Sequence, residues 1–93
     1  MGAFEKMTPK QKEFYRENIL AQLDNARVPT LGAVLLIGLR CGGFPNTDTA
    51  EMEREIEYLI AKGWVSMDRG AISAGVKRYK ITAGGIEYLE ANA

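Results

Sequence analysis

The sequence contains no histidine and a single cysteine, Cys41. The first absence removes a serine or cysteine nucleophile paired with histidine, and every histidine-containing zinc site. The second removes an internal disulfide, which fits a reducing, cytoplasmic setting and leaves Cys41 a packing role at a helix end. Excess charge of one sign is also missing. Lysine plus arginine number 12 and aspartate plus glutamate 12, so a nucleic-acid partner would have to be met by a local patch. No apolar run reaches the roughly 20 residues that span a bilayer. The most apolar stretch, Leu31 to Leu39 (LGAVLLIGL), is under half that length with Arg27 and Arg40 close on either side, and reads as a buried helix. The start MGAFEKMTPK lacks the apolar region of a secretory signal. Gly32 and Gly38 are wrongly spaced for a phosphate loop and precede Leu39-Arg40, not Lys-Ser or Lys-Thr; no dinucleotide fingerprint occurs. The sequence therefore predicts no enzyme, no cofactor and no metal site. Glu51 and Glu55, one helical turn apart, read as part of a solvated acidic face.

What is present is 93 residues, 46% of them hydrophobic, enough for one globular domain. Residues 1–7 lack pattern and are expected to be flexible, and residues 8–91 form the domain. Thr8-Pro9-Lys10-Gln11 combines an N-cap hydroxyl, a proline at the first helical position and a glutamine three residues after the cap. A first helix should run to about Asp24, with Tyr15, Ile19, Leu20 and Leu23 inward and Lys12, Glu13, Arg16 and Glu17 outward. Thr30 can cap a second helix, from Leu31 to about Cys41, ended by Gly42-Gly43. Its apolar side chains surround the axis, which predicts cover from the first and third helices.

The stretch TDTAEMEREIEYLIAKGWV, Thr47 to Val65, organises the remainder. Thr47 or Asp48 caps a third helix whose inward stripe is Met52, Ile56, Leu59 and Ile60, and Gly63 stops it before the strand-forming Trp64-Val65. Arg69 to Gly75 (RGAISAG) reads as a hairpin tip, followed by a strand over Val76 to Thr82 with Tyr79 and Ile81 buried. A short closing helix from Thr82 to Glu90 turns Ile86, Leu89 and Tyr88 inward. No repeat, linker or low-complexity segment interrupts this order.

Three segments, MEREIEYLIAKGWV, RYKIT and TAGGIEYLE, resemble the winged helix-turn-helix superfamily and cover just under a third of the chain. The apolar second helix, the GGFPNT turn and REIEYLIAKGWV are also similar to the small winged-helix proteins of Mu-like bacteriophages and prophages. The resemblance implies an α+β winged helix in the order helix-helix-helix-strand-strand-helix, a three-helix core with a two-stranded β-wing. It further implies a DNA-binding transcriptional regulator, often dimeric, with the third helix in the major groove and the wing on the backbone.

The charges qualify that implication. Residues 48–62 carry Asp48, Glu51, Glu53, Glu55 and Glu57 against Arg54 and Lys62, a net of minus three on the helix expected to meet bases. Duplex DNA presents a phosphate about every 1.7 Å of axis, so this helix is repelled unless base contacts compensate. Residues 66–82 hold Arg69, Lys77, Arg78 and Lys80 against Asp68 alone, a net of plus three. Arg69, Lys77 and Arg78 are therefore the expected phosphate contacts on double-stranded DNA, with Arg54 the contact from the helix. The alternative is a protein-interaction or assembly module, in which Glu51, Glu53 and Glu55 together with the apolar second helix dock a protein partner or a second copy.

Overall fold

The computed structural model describes residues 7–69 and 76–92. The expected loose N-terminal segment, save Met7, and the hairpin tip at 70–75 lie outside them. Elements follow in the order α1 (Pro9–Ala26), β1 (Thr30–Leu31), α2 (Gly32–Cys41), α3 (Thr49–Ala61), β2 (Val65–Arg69), β3 (Lys77–Ile81) and α4 (Ala83–Ala91). The winged-helix reading holds, with one addition. The sheet has three antiparallel strands in the order β1-β3-β2, because Thr30-Leu31 pairs with Tyr79 and Arg78 on the free edge of β3. Two residues are too few to show an alternating pattern, so β1 is invisible in the sequence.

Local chemistry sets the ends of the elements. The Thr8 hydroxyl accepts from Gln11 N–H while the Gln11 side chain accepts from Thr8 N–H, completing the capping box. Asp48 caps α3 by accepting from Glu51 N–H at 2.8 Å, and Thr82 caps α4 by accepting from Gly85 N–H at 3.2 Å. Gly63, at φ 81°, turns the chain out of α3 in a conformation that a side chain would strain. The Thr82 hydroxyl donates back to Gly63 O at 2.6 Å and Thr82 N–H to Trp64 O at 3.0 Å, which locks the helix-to-strand junction against α4. No side chain caps α2. The Thr30 hydroxyl instead donates to Val28 O, and Leu31 takes the N-cap position.

The core lies between the three helices and one face of the sheet. Tyr15, Ile19, Leu20 and Leu23 of α1 meet Leu35 and Leu39 of α2, Met52, Ile56 and Leu59 of α3, and Val65, Tyr79 and Ile81 of the strands. Removing this apolar area from water is the main stabilising term. Enclosure of α2 is only partial: Leu35 and Leu39 are buried, but Val34 is 54% and Ile37 61% exposed. The expected cover from helices one and three stops there, because both pack on the same side of α2. In α4, Leu89 and Tyr88 pack on the core while Ile86 stays partly exposed. Cys41, at the end of α2, is exposed and not packed.

Candidate nucleic-acid interface

The turn between α2 and α3 decides how α3 is presented, and Thr47 holds it. This residue is fully buried. Its N–H donates to Phe44 O at 3.1 Å, its carbonyl accepts from Arg40 Nε at 2.9 Å, and its hydroxyl is 2.7 Å from the Tyr15 hydroxyl on α1. Phe44 sits edge-on to Tyr15, with ring centroids 4.8 Å apart, and closes the same corner. Burial pushes the Tyr15 hydroxyl pKa up to about 12; the Thr47 hydrogen bond works against this, and Glu51, Glu55 and Asp48 reinforce it. Sequence reading treats Thr47 as a cap candidate. Its position between two helices and a turn is set by residues as distant as Tyr15.

On α3 the acidic side chains do not form one solvated face, and this corrects the sequence expectation. Glu51 and Glu55 are buried. Arg16 Nε donates to Glu55 Oε1 at 2.6 Å, and Arg54 Nη2 lies 3.6 Å from Glu51 Oε1. The Arg16 guanidinium also stacks on the Tyr58 ring, 3.7 Å from its centroid. Arg16, expected outward, thus turns against α3. The physical reason is pairing: a carboxylate leaves water when a cation on the adjacent helix meets it. By the helical period Ala50, Arg54, Glu57 and Ala61 form the outermost stripe, with Thr49 and Glu53 on the flank toward the strands. The Arg54 side chain is 68% exposed and Glu53 partly so.

Strand alternation divides the basic residues of the wing. Lys77 shares the face of Tyr79 and Ile81, toward α3, where it lines a cleft with Glu53 and Glu57. Arg78 and Lys80 point to the opposite face, where Arg78 is paired in register with Asp68 and Lys80 with Ser66. Arg69 pairs in register with Lys77 at the outer end of the hairpin. Lys77 and Lys80 are exposed and Arg78 is partly buried. Burial raises the Tyr79 hydroxyl pKa, with further contributions from Glu53 and then Glu57, so the cleft between α3 and the wing has a negative field. Among the described residues no cluster of acidic or cysteine side chains could hold a metal ion, and no helix is long and apolar enough to cross a membrane.

No protein-family model matches the chain, and no curated protein matches it in sequence. Solved structures match in shape. The adhesin competence repressor (AdcR) from Streptococcus pyogenes superimposes with a TM-score of 0.67 at 17% identity over 94% of this chain and 54% of AdcR. A cysteine-to-serine mutant of ZitR from Lactococcus lactis gives 0.66 at 15% identity, over 85% of this chain and 49% of ZitR. The likeness is one of fold, and it agrees with the element order, sheet and turn described above: the chain has a winged-helix fold. It spans about half the length of these structures.

Proposed function

We propose that this chain is a DNA-binding winged-helix module of a transcriptional regulator, with phosphate contacts mainly from the wing. The observation that carries the reading is the presentation of α3. The Thr47 corner sets it behind α2, its outer stripe carries Ala50, Arg54 and Ala61 with one carboxylate, Glu57, and two further carboxylates are withdrawn toward α1 and Arg54. That withdrawal lessens the repulsion that the sequence alone implies. Arg54 is the contact offered by the helix, and Arg69, Lys77 and Arg78 are those offered by the wing. The fold shared with a repressor supports the reading by analogy. Origin in a Mu-like phage or prophage belongs to the same proposal; it rests on the resemblance of the apolar second helix, the GGFPNT turn and the REIEYLIAKGWV segment, and the neighbouring genes test it.

Fluorescence anisotropy on a labelled duplex, titrated across salt, tests binding. If about four phosphates are neutralised, log affinity should fall with log salt at a slope near −3.6. Replacing Lys77 and Arg78 with alanine should roughly halve that slope, since two of the four contacts are removed. Absence of duplex binding at low salt would end the proposal.

A second reading, a module that docks a protein or a second copy, is favoured by the exposed Val34 and Ile37 of α2. Of the three glutamates assigned to such a surface, Glu53 stays accessible, whereas Glu51 and Glu55 face inward. A strictly monomeric mass in solution, together with no retained partner, counts against it.

A further inference from the structure

A groove runs along the wing-facing side of α3. Its wide end is a cavity of about 640 Å³ walled by Leu31, Leu36 and Ile37 on one side and by Met52 and Tyr79 on the other. Its narrow end, about 60 Å³, lies between Glu53, Glu57, Met67 and Tyr79. Glu53, Lys77 and Tyr79 line both ends, so the two share a wall. The wide end falls in the range of small-molecule sites, roughly 300 to 1,000 Å³, and has their usual composition of apolar walls with a few convergent polar groups.

The charge at the polar end selects the ligand. Two carboxylates, Glu53 and Glu57, meet one ammonium, Lys77. Among the described residues neither glutamate is in an ion pair. The partial positive charge at the start of α3 is already answered by the Asp48 cap. An electron-rich ring, Tyr79, lies against the same end.

We propose that this groove binds a small lipophilic cation, its apolar or aromatic body against Leu36, Ile37 and Met52 and its charged centre beside Glu53 and Glu57 over Tyr79. The upward shift of the Tyr79 hydroxyl agrees: after burial, its causes are Glu53 and Glu57, which set a negative field where the cation would sit. The proposal does not rest on α3 meeting a duplex, although Lys77 belongs to both surfaces.

Isothermal titration of the full chain with benzyltrimethylammonium, against phenylmethanesulfonate of similar size and opposite charge, tests it. The expected result is saturable one-to-one binding of the cation, about tenfold tighter than the anion. Glu53→Gln should weaken cation binding roughly fivefold and Lys77→Met should strengthen it by a similar factor. A gain in affinity cannot come from misfolding, so the pair remains decisive even if one variant is less stable. Equal affinity for cation and anion, no saturable heat with the cation, or unchanged affinity in Glu53→Gln would overturn the proposal.

Discussion

Arg16 and Glu55, 39 positions apart in the chain, meet at 2.6 Å between α1 and α3, and the Arg16 guanidinium is at the same time stacked on Tyr58. The Glu55 side chain is 5% exposed and the Arg16 side chain 25%. A carboxylate so deeply set is tolerable only while its partner remains, because an unpaired buried charge costs several kcal/mol.

Arg16→Met keeps the aliphatic stem and removes the charge, so it should destabilise the domain by about 2 to 3 kcal/mol, below the fully buried case because Arg16 reaches water. Arg16→Met combined with Glu55→Leu should recover more than half of that loss, since no charge is then stranded. Urea denaturation of the two variants checks this. A single variant within about 0.5 kcal/mol of the parent, the range of ordinary surface changes, would show the pair to be incidental.

Tyr15 makes stability depend on alkaline pH. Its hydroxyl titrates near 10 in the unfolded chain and is pushed up to about 12 in the fold, first by burial. A raised folded pKa means that the folded state holds the proton longer. The contribution is therefore fully present below pH 10 and is lost as pH rises through about 12, on the order of 2 to 3 kcal/mol in all. Tyr15→Phe should lower stability at neutral pH by about 1 to 2 kcal/mol, because the buried Thr47 hydroxyl loses its partner. It should also flatten the decline between pH 10 and 12. Thermal melts of both proteins across that window measure the difference, and parallel declines would contradict it.

Adjacent glycines in α4 should respond oppositely to alanine. At Gly85 an added Cβ would collide with the Trp64 carbonyl oxygen and lie 2.6 Å from Ile81 Cγ1, so backbone would have to move. The expected cost is about 2 to 3 kcal/mol. At Gly84 the nearest atoms are the Gly63 carbonyl oxygen at 3.4 Å and Trp64 Cδ1 at 3.5 Å, ordinary contact. There, gain in helix propensity should stabilise by up to about 1 kcal/mol. Equal effects of the two substitutions would mean that α4 is not seated on the Gly63-Trp64 junction.

Charge on the α3 face should tune duplex affinity if the proposed function holds. Glu57→Gln removes a carboxylate from the outer stripe and should raise affinity roughly two- to fivefold at low salt, with the gain shrinking as salt screens it. Arg54→Ala should lower affinity, whereas Arg16→Lys, which keeps the inward charge, should leave it within about twofold. Anisotropy titrations at two salt concentrations separate these cases, and a loss of affinity in Glu57→Gln would instead point to glutamate accepting from cytosine.

On α2, Leu39→Ala should cost roughly 2 to 5 kcal/mol, whereas Ile37→Ser should stay within about 1 kcal/mol, because Leu39 is fully buried and Ile37 lies open. Calorimetric melts decide this. A large loss at Ile37 in a concentration-dependent melt would reveal a second copy covering it.

Element order apart from β1, three of the four helix starts and the inward stripes of α1 and α3 are determined by the sequence itself. Each is a local matter: the Thr8 capping box closes over three residues, Gly63 alone supplies the left-handed turn, and a stripe at three- and four-residue spacing needs only its own helix. Tertiary structure decided the rest. Whether Glu55 stands in water or against Arg16 depends on how α1 crosses α3, and whether Ile37 is covered depends on which side of α2 its neighbours occupy. Thr47 acquires its role from the Tyr15 hydroxyl 32 positions away. Partners so distant leave no period or spacing to detect, so the acidic count of residues 48–62 overstated the charge that α3 presents.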